Sequence, residues 1–122
     1  MLKRLDKLEI VTADLADAAS IYERNFDFKV VRSVDGKGAS IRIGDSEIRL
    51  VCGEPAAEII ANSGEGMFAL WLEAADVESV AQALRESGID HAPIKIEQGR
   101  RILAVDPRHA NQVPLFIFDR KV

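Results

Sequence analysis

The chain has 122 residues, 48% of them hydrophobic and 30% charged, with 16 Lys and Arg against 20 Asp and Glu for a formal charge of −4. That length suits one domain burying roughly two-thirds of the surface its unfolded chain exposes, and it excludes a second of full size. The composition excludes disorder, and the acidic balance excludes the basic footprint that nucleic acid or an anionic membrane requires.

The lone Cys52 has no intramolecular partner, and no apolar run approaches the ~20 residues of a membrane span. Met1-Leu2-Lys3-Arg4-Leu5-Asp6 meets charge too early for a signal peptide, so a reducing, cytoplasmic setting is expected. Leu8, Ile10 and Thr12 then alternate with Lys7, Glu9 and Val11, the period of a half-buried strand over about residues 5 to 11. Thr12-Ala13-Asp14 offers an N-cap, Asp17 an acidic first turn, and Leu15, Ala18, Ala19 and Tyr22 a helical stripe to about Asn25, with Tyr22 and Phe26 expected in the core. Three strands follow, Phe28 to Val34, Ala39 to Ile43 and Glu47 to Cys52, joined by hairpin turns at Asp35-Gly36-Lys37-Gly38 and Gly44-Asp45. Gly36 and Gly38 join two strands and open no helix, so they are turn residues and not a phosphate loop.

Residues 53–66 carry Pro55 and three glycines, break the strand pattern and read as a connector. Beyond it Met67 to Ala74 alternates again, Asp76 caps a helix with Val77, Val80, Ala81 and Leu84 on one face, and Gly88 stops it. Ile94 to Glu97, Arg101 to Val105 and Val113 to Phe118 complete the strands, turning at Gln98-Gly99 and Asp106-Pro107. Arg100 and Arg101 read as a solvated strand edge that discourages aggregation, with no chemistry of their own. A shift of 62 residues lays Leu8, Ile10, Ala13, Asp14 and Ala19 over Leu70, Leu72, Ala75, Asp76 and Ala81. An internal duplication is the better account of that match. The expected architecture is α+β: one domain over 1–122 made of two tandem β-α-β-β-β units, 1–52 and 67–122, around the connector 53–66.

This order, carried by Leu5-Asp6-Lys7-Leu8-Glu9-Ile10-Val11-Thr12-Ala13-Asp14-Leu15, Gly44-Asp45-Ser46-Glu47-Ile48-Arg49-Leu50, Gly66-Met67-Phe68-Ala69-Leu70 and Val105-Asp106-Pro107-Arg108-His109-Ala110-Asn111-Gln112-Val113, resembles the vicinal oxygen chelate superfamily of glyoxalases, bleomycin-resistance proteins and extradiol dioxygenases. The resemblance implies a half-barrel-like curved sheet with the helices outside, and a homodimer. In metal-dependent members each unit supplies one ligand from its first strand and one from its last. Carried over, those positions are Lys7, Arg49, Ala69, and Pro114 or Phe116, none of which is a metal ligand. The expectation is therefore no metal and no cofactor. His91 and His109 read as solvated loop residues without a ligand partner.

Strand parity puts Leu8, Ile10, Ile48, Leu50, Leu70, Leu72, Val113 and Leu115 under the helices, with Cys52 on that side as a buried core residue. Lys7, Glu9, Glu47, Arg49, Val51, Ala69, Trp71, Glu73, Pro114, Phe116 and Phe118 fall on the opposite, concave side, which the resemblance makes the pocket. Two readings of the polar set stay open: Lys7, Glu9, Glu47 and Arg49 as an ion-pair network, or Lys7 and Arg49 as grips for an anion against Phe68, Trp71 and Phe116. The expected function is binding of an anionic or aromatic small molecule without a metal. One alternative is a metal-independent lyase or isomerase with Glu73 as base and Arg49 as oxyanion support; another is a structural or interaction module with a filled cavity.

Overall fold

The computed structural model describes residues 2–110 and 112–121; Asn111, part of the closing motif, lies outside the described residues. The chain forms two compact units, Lys7–Phe68 and Met1–Asp6 with Ala69–Val122.

The Lys7–Phe68 unit is built on the part of β1 (Leu2–Val11) from Lys7 onward, α1 (Leu15–Phe26), β2 (Val31–Arg32), β3 (Gly38–Ile43), β4 (Ser46–Val51) and α2 (Ala56–Ser63). Its strands run in the order β2-β3-β4-β1, with β1 and β4 parallel and the other neighbours antiparallel. Asp14 caps α1 as expected, its carboxylate accepting the Asp17 N–H at 3.0 Å. Leu15 and Ala19 of α1 close over Ala39, Ile41 and Leu50, with Ile10, Ile48 and Tyr22 at the margin. The even-numbered positions of β1 and β4 thus face the helix, and the odd-numbered ones face away.

Three expectations fail here. Phe26 is 57% exposed, because the helix ends on it and its ring stacks outward on Phe28 with centroids 5.3 Å apart. The strand proposed from Phe28 shrinks to Val31–Arg32. The connector holds the helix α2, which opens on Ala-Ala-Glu-Ile-Ile, is eight residues long and has no side-chain cap, too short a repeat to stand out between Pro55 and Gly64.

The second unit repeats the plan with β5 (Gly66–Ala74), α3 (Val77–Glu86), β6 (Lys95–Glu97), β7 (Arg100–Val105) and β8 (Leu115–Asp119). The order is β5-β8-β7-β6, with β5 and β8 parallel, so both units have one topology and the duplication holds in three dimensions. Asp76 caps α3 by accepting from the Glu78 N–H at 3.1 Å and the Ser79 hydroxyl at 3.2 Å. Gly88 ends it at φ +71°. Val77, Val80 and Ala81 pack on Leu103, Val105 and Ile117, with Leu72 and Leu115 alongside.

Arg101 is not a solvated edge. Its guanidinium binds the Asp119 carboxylate through Nε at 2.9 Å and Nη2 at 2.6 Å, and reaches Asp76 at 3.0 Å, while Asp119 also accepts from the Val77 N–H at 2.7 Å. The strand end and the helix start are thereby tied through one buried carboxylate. Among the described residues no helix is long and apolar enough to cross a membrane.

Candidate functional site

On the face of the Lys7–Phe68 sheet turned away from α1, the parallel register sets Lys7 opposite Glu47, Glu9 opposite Arg49 and Val11 opposite Val51. Lys7 and Arg49, expected side by side, are therefore offset, each beside a carboxylate. The Glu47 carboxylate also accepts the Ser40 hydroxyl. All four charged groups are half-buried.

A cavity of about 260 Å³ opens over this face. Glu9, Val11, Arg49 and Val51 form its floor, the hairpin residues Asp35 and Lys37 one wall, and Glu54, Pro55, Ala56 and Ile59 around the start of α2 another, with Phe68 also in the lining. Cys52 also lines it. The thiol is half-buried and not buried as expected, and it lies 3.6 Å from the Gly36 carbonyl oxygen.

Arg49 is the distinctive group. Among the described residues its guanidinium has no hydrogen bond or ion pair. The guanidinium lies in a notch that exists because residue 38 is glycine: a Cβ there would sit 2.6 Å from Nη2 and 3.1 Å from Cζ. Nearby, the Ser33 hydroxyl (2.6 Å) and the Lys37 N–H (2.9 Å) bind the Asp35 carboxylate and hold it below the usual range, with the charges of Lys37 and Arg49 adding to the effect against a smaller burial cost. Asp35 offers Arg49 a field without a bond, leaving the fork of N–H donors open to a ligand oxyanion.

The other predicted site residues belong to the second unit. Trp71 pairs in register with Phe116, the rings stacked with centroids 4.5 Å apart, and Phe118 meets Trp71 edge-on at 6.2 Å. Glu73 is buried and accepts from Arg4 Nε at 2.8 Å and Arg120 Nε at 3.4 Å. Burial pushes its carboxyl up, but the Arg4 hydrogen bond with the charges of Arg4, Arg120 and Lys3 outweighs burial, and the net direction is down. A base poised near neutrality needs the opposite. Sequence reading missed Arg100 and Arg120, although Arg100 precedes Ile102 by two residues and Arg120 follows Phe118 by two, so strand parity alone puts them on the aromatic face.

The residues at the family's ligand positions do not fit a divalent ion. Lys7 and Arg49 bring positive charge without a lone pair, and Ala69, fully buried, brings no donor. Among the described residues no three His, Cys, Asp or Glu side chains gather as a metal-binding group. His91 Nδ1 is engaged with the Ala92 carbonyl at 2.8 Å, and His109 lies exposed in the short 3-10 turn Pro107–His109.

The fold has many solved counterparts. A hypothetical protein from Bacillus halodurans is 22% identical, with 98% of this chain and 95% of that one covered at a TM-score of 0.77. A variant of Streptomyces coelicolor methylmalonyl-CoA epimerase in complex with 2-nitronate-propionyl-CoA is 21% identical, covering 100% and 97% at 0.76. Methylmalonyl-CoA epimerase from Mycobacterium tuberculosis is 19% identical, covering 99% and 90% at 0.76. At such identities the likeness is one of fold. No curated protein matches the sequence. The profile of one family matches residues 4–111, nearly the whole of both repeats. With the duplicated β-α-β-β-β topology and the first and last strands of each unit parallel neighbours, that match places the chain in the Glyoxalase/Bleomycin resistance protein/Dioxygenase superfamily.

Proposed function

We propose that the protein binds a small molecule bearing a carboxylate or phosphate in the cavity of the Lys7–Phe68 unit, with Arg49 as anchor and no divalent ion taking part. The carrying observation is the Arg49 guanidinium, set in the Gly38 notch on the cavity floor with its donors unclaimed by any described carboxylate. A half-buried guanidinium with carboxylates near but none accepting its N–H groups is stabilised when something else supplies the acceptor. Val11, Val51, Ile59 and Phe68 offer apolar contact for the ligand body.

At about 260 Å³ the cavity lies just below the ~300–1,000 Å³ typical of ligand sites. It suits a compact anion, or the anionic end of a longer molecule. The structurally similar epimerases, which bind methylmalonyl-CoA or a nitronate analogue of it, give an anion-bearing ligand further support. A lyase or isomerase reading has no such observation behind it, since Glu73 is doubly bridged by arginines and held ionised. The family membership also supports association into a homodimer.

The test is a thermal-shift screen of malonate, phosphate and aromatic carboxylates against wild type and Arg49→Ala. A ligand at 100 times its Kd should add about 2.7 kcal/mol to wild-type stability. Arg49→Ala should lose most of that gain. If no anion shifts the wild type, or the variant responds equally, the reading fails.

A further inference from the structure

We propose a second anion-binding site on the sheet of the other unit, where Arg100 and Arg120 lie over Phe118, taking the phosphate or carboxylate group of a small soluble ligand. The site begins with register. Antiparallel pairing sets Ile102 opposite Phe118 and Arg101 opposite Asp119, so one step further Arg100 falls opposite Arg120, on the side of Ile102 and Phe118. Like charges placed directly across two strands destabilise a sheet. Both guanidiniums are drawn over one ring: Arg100 Cζ is 5.1 Å and Arg120 Cζ 5.6 Å from the centroid of the fully buried Phe118, and Arg100 is also 5.7 Å from that of Trp71.

Ring contact fixes where a guanidinium lies but uses none of its N–H donors. Arg120 spends Nε on Glu73. The Arg100 guanidinium, on a half-buried residue, has no hydrogen bond or ion pair among the described residues. Its sequence neighbour Arg101 makes the contrast, because the same strand end supplies that side chain with Asp119 and Asp76. Charge around the site points the same way. Lys3, Arg4, Lys95, Arg100 and Arg120 stand against Asp6, Glu73 and Glu97, the last opposite Arg100 across β6 and β7 but 3.6 Å from Lys95, a local excess of cations in a chain whose formal charge is −4. Two guanidiniums held over aromatic rings, with too few carboxylates to neutralise them, are a preorganised receptor for an oxyanion, which would bridge the opposed pair and accept the donors of Arg100.

Trp71, the only tryptophan, reports on Arg100 directly. Its emission should be followed while inorganic phosphate, pyrophosphate or malonate is titrated at ionic strength held constant with sodium chloride. The expected result is a saturable change with at least one of these anions, the phosphate and malonate arms showing which oxyanion is preferred. Arg100→Gln should weaken apparent affinity at least tenfold, Arg120→Gln severalfold, and Arg100→Lys by an intermediate factor, since an ammonium keeps the charge but not the fork. Arg32→Gln, which removes an exposed arginine paired with Glu23, should titrate like wild type. Thermal melts establish that each variant folds, and Arg100→Lys decides the matter if Arg100→Gln does not. A response that is absent, fails to saturate, or is the same in wild type and the folded Arg100 variant overturns the proposal.

Discussion

Asp119→Ala should destabilise the protein by about 3 kcal/mol, near the lower end of the ~3–5 kcal/mol that follows removal of one partner from a buried ion pair. Asp119 is 1% exposed and accepts four hydrogen bonds: two from Arg101, one from the Val77 N–H that opens α3, and one from the Lys121 N–H at 3.1 Å. Alanine strands the fully buried Val77 N–H and takes the shortest contacts from Arg101. The loss stays near the low end because Asp76, at 3.0 Å, and Glu78, at 3.8 Å, continue to hold Arg101. Urea denaturation followed by circular dichroism measures the loss directly, and a melt should fall by about 10 °C for a domain of this size. Glu23→Ala is the control. Its carboxylate makes contacts of 2.9 and 3.2 Å with Arg32 but on the exposed surface, where solvent screens the pair and the loss should be small. If Asp119→Ala costs no more than Glu23→Ala, the buried tie between β8 and α3 is not what holds this end of the unit.

The same carboxylate sets a pH dependence. The Arg101 hydrogen bond, against the opposing effect of burial and with help from the Val77 and Lys121 N–H groups, holds Asp119 down to about 2 from its ordinary 3.8. A group depressed in the folded state contributes stability above its unfolded value and loses it as pH falls toward the folded one. The difference is worth at most about 2.5 kcal/mol, and about 1–2 kcal/mol once solvent screening at the Arg101 side is allowed for. The stability gap between wild type and Asp119→Asn should therefore narrow from pH 5 to pH 2; a gap constant over that range counts against the assignment. Gly38→Ala should weaken any Arg49-dependent ligand at least tenfold while costing little stability, because its Cβ displaces a flexible guanidinium more than it disturbs backbone; isothermal titration of the ligand found by screening checks this. Incubation with a chelator should leave the melting temperature unchanged, and elemental analysis should find less than one equivalent of zinc, nickel, manganese or iron. Sedimentation should give a mass near twice 13.4 kDa, and a solution holding only the 13.4 kDa species removes the homodimer.

What could be read directly from the chain was whatever depends on neighbours a few residues apart. Alternation at Leu8 and Ile10, the caps Asp14 and Asp76, the left-handed Gly88 and the 62-residue repeat are local signals, and each has its counterpart in the folded units. Parity likewise put Glu9 and Arg49 on one face and Ile10 and Leu50 on the other. The structure decided what depends on distant partners meeting: which residue stands opposite which across β1 and β4, that Glu73 receives Arg4 and Arg120, and that Arg49 rests in the notch at Gly38. It also turned the connector into α2, a helix too short to hold itself by its own periodicity and completed by packing Ala56 into the interior. Period-2 alternation names the face of a strand but not its register, because slipping a neighbour by two residues preserves every side chain's face and changes every pair. Only closure of the whole sheet on its core fixes that choice, and with it the groups that meet at both candidate anion sites.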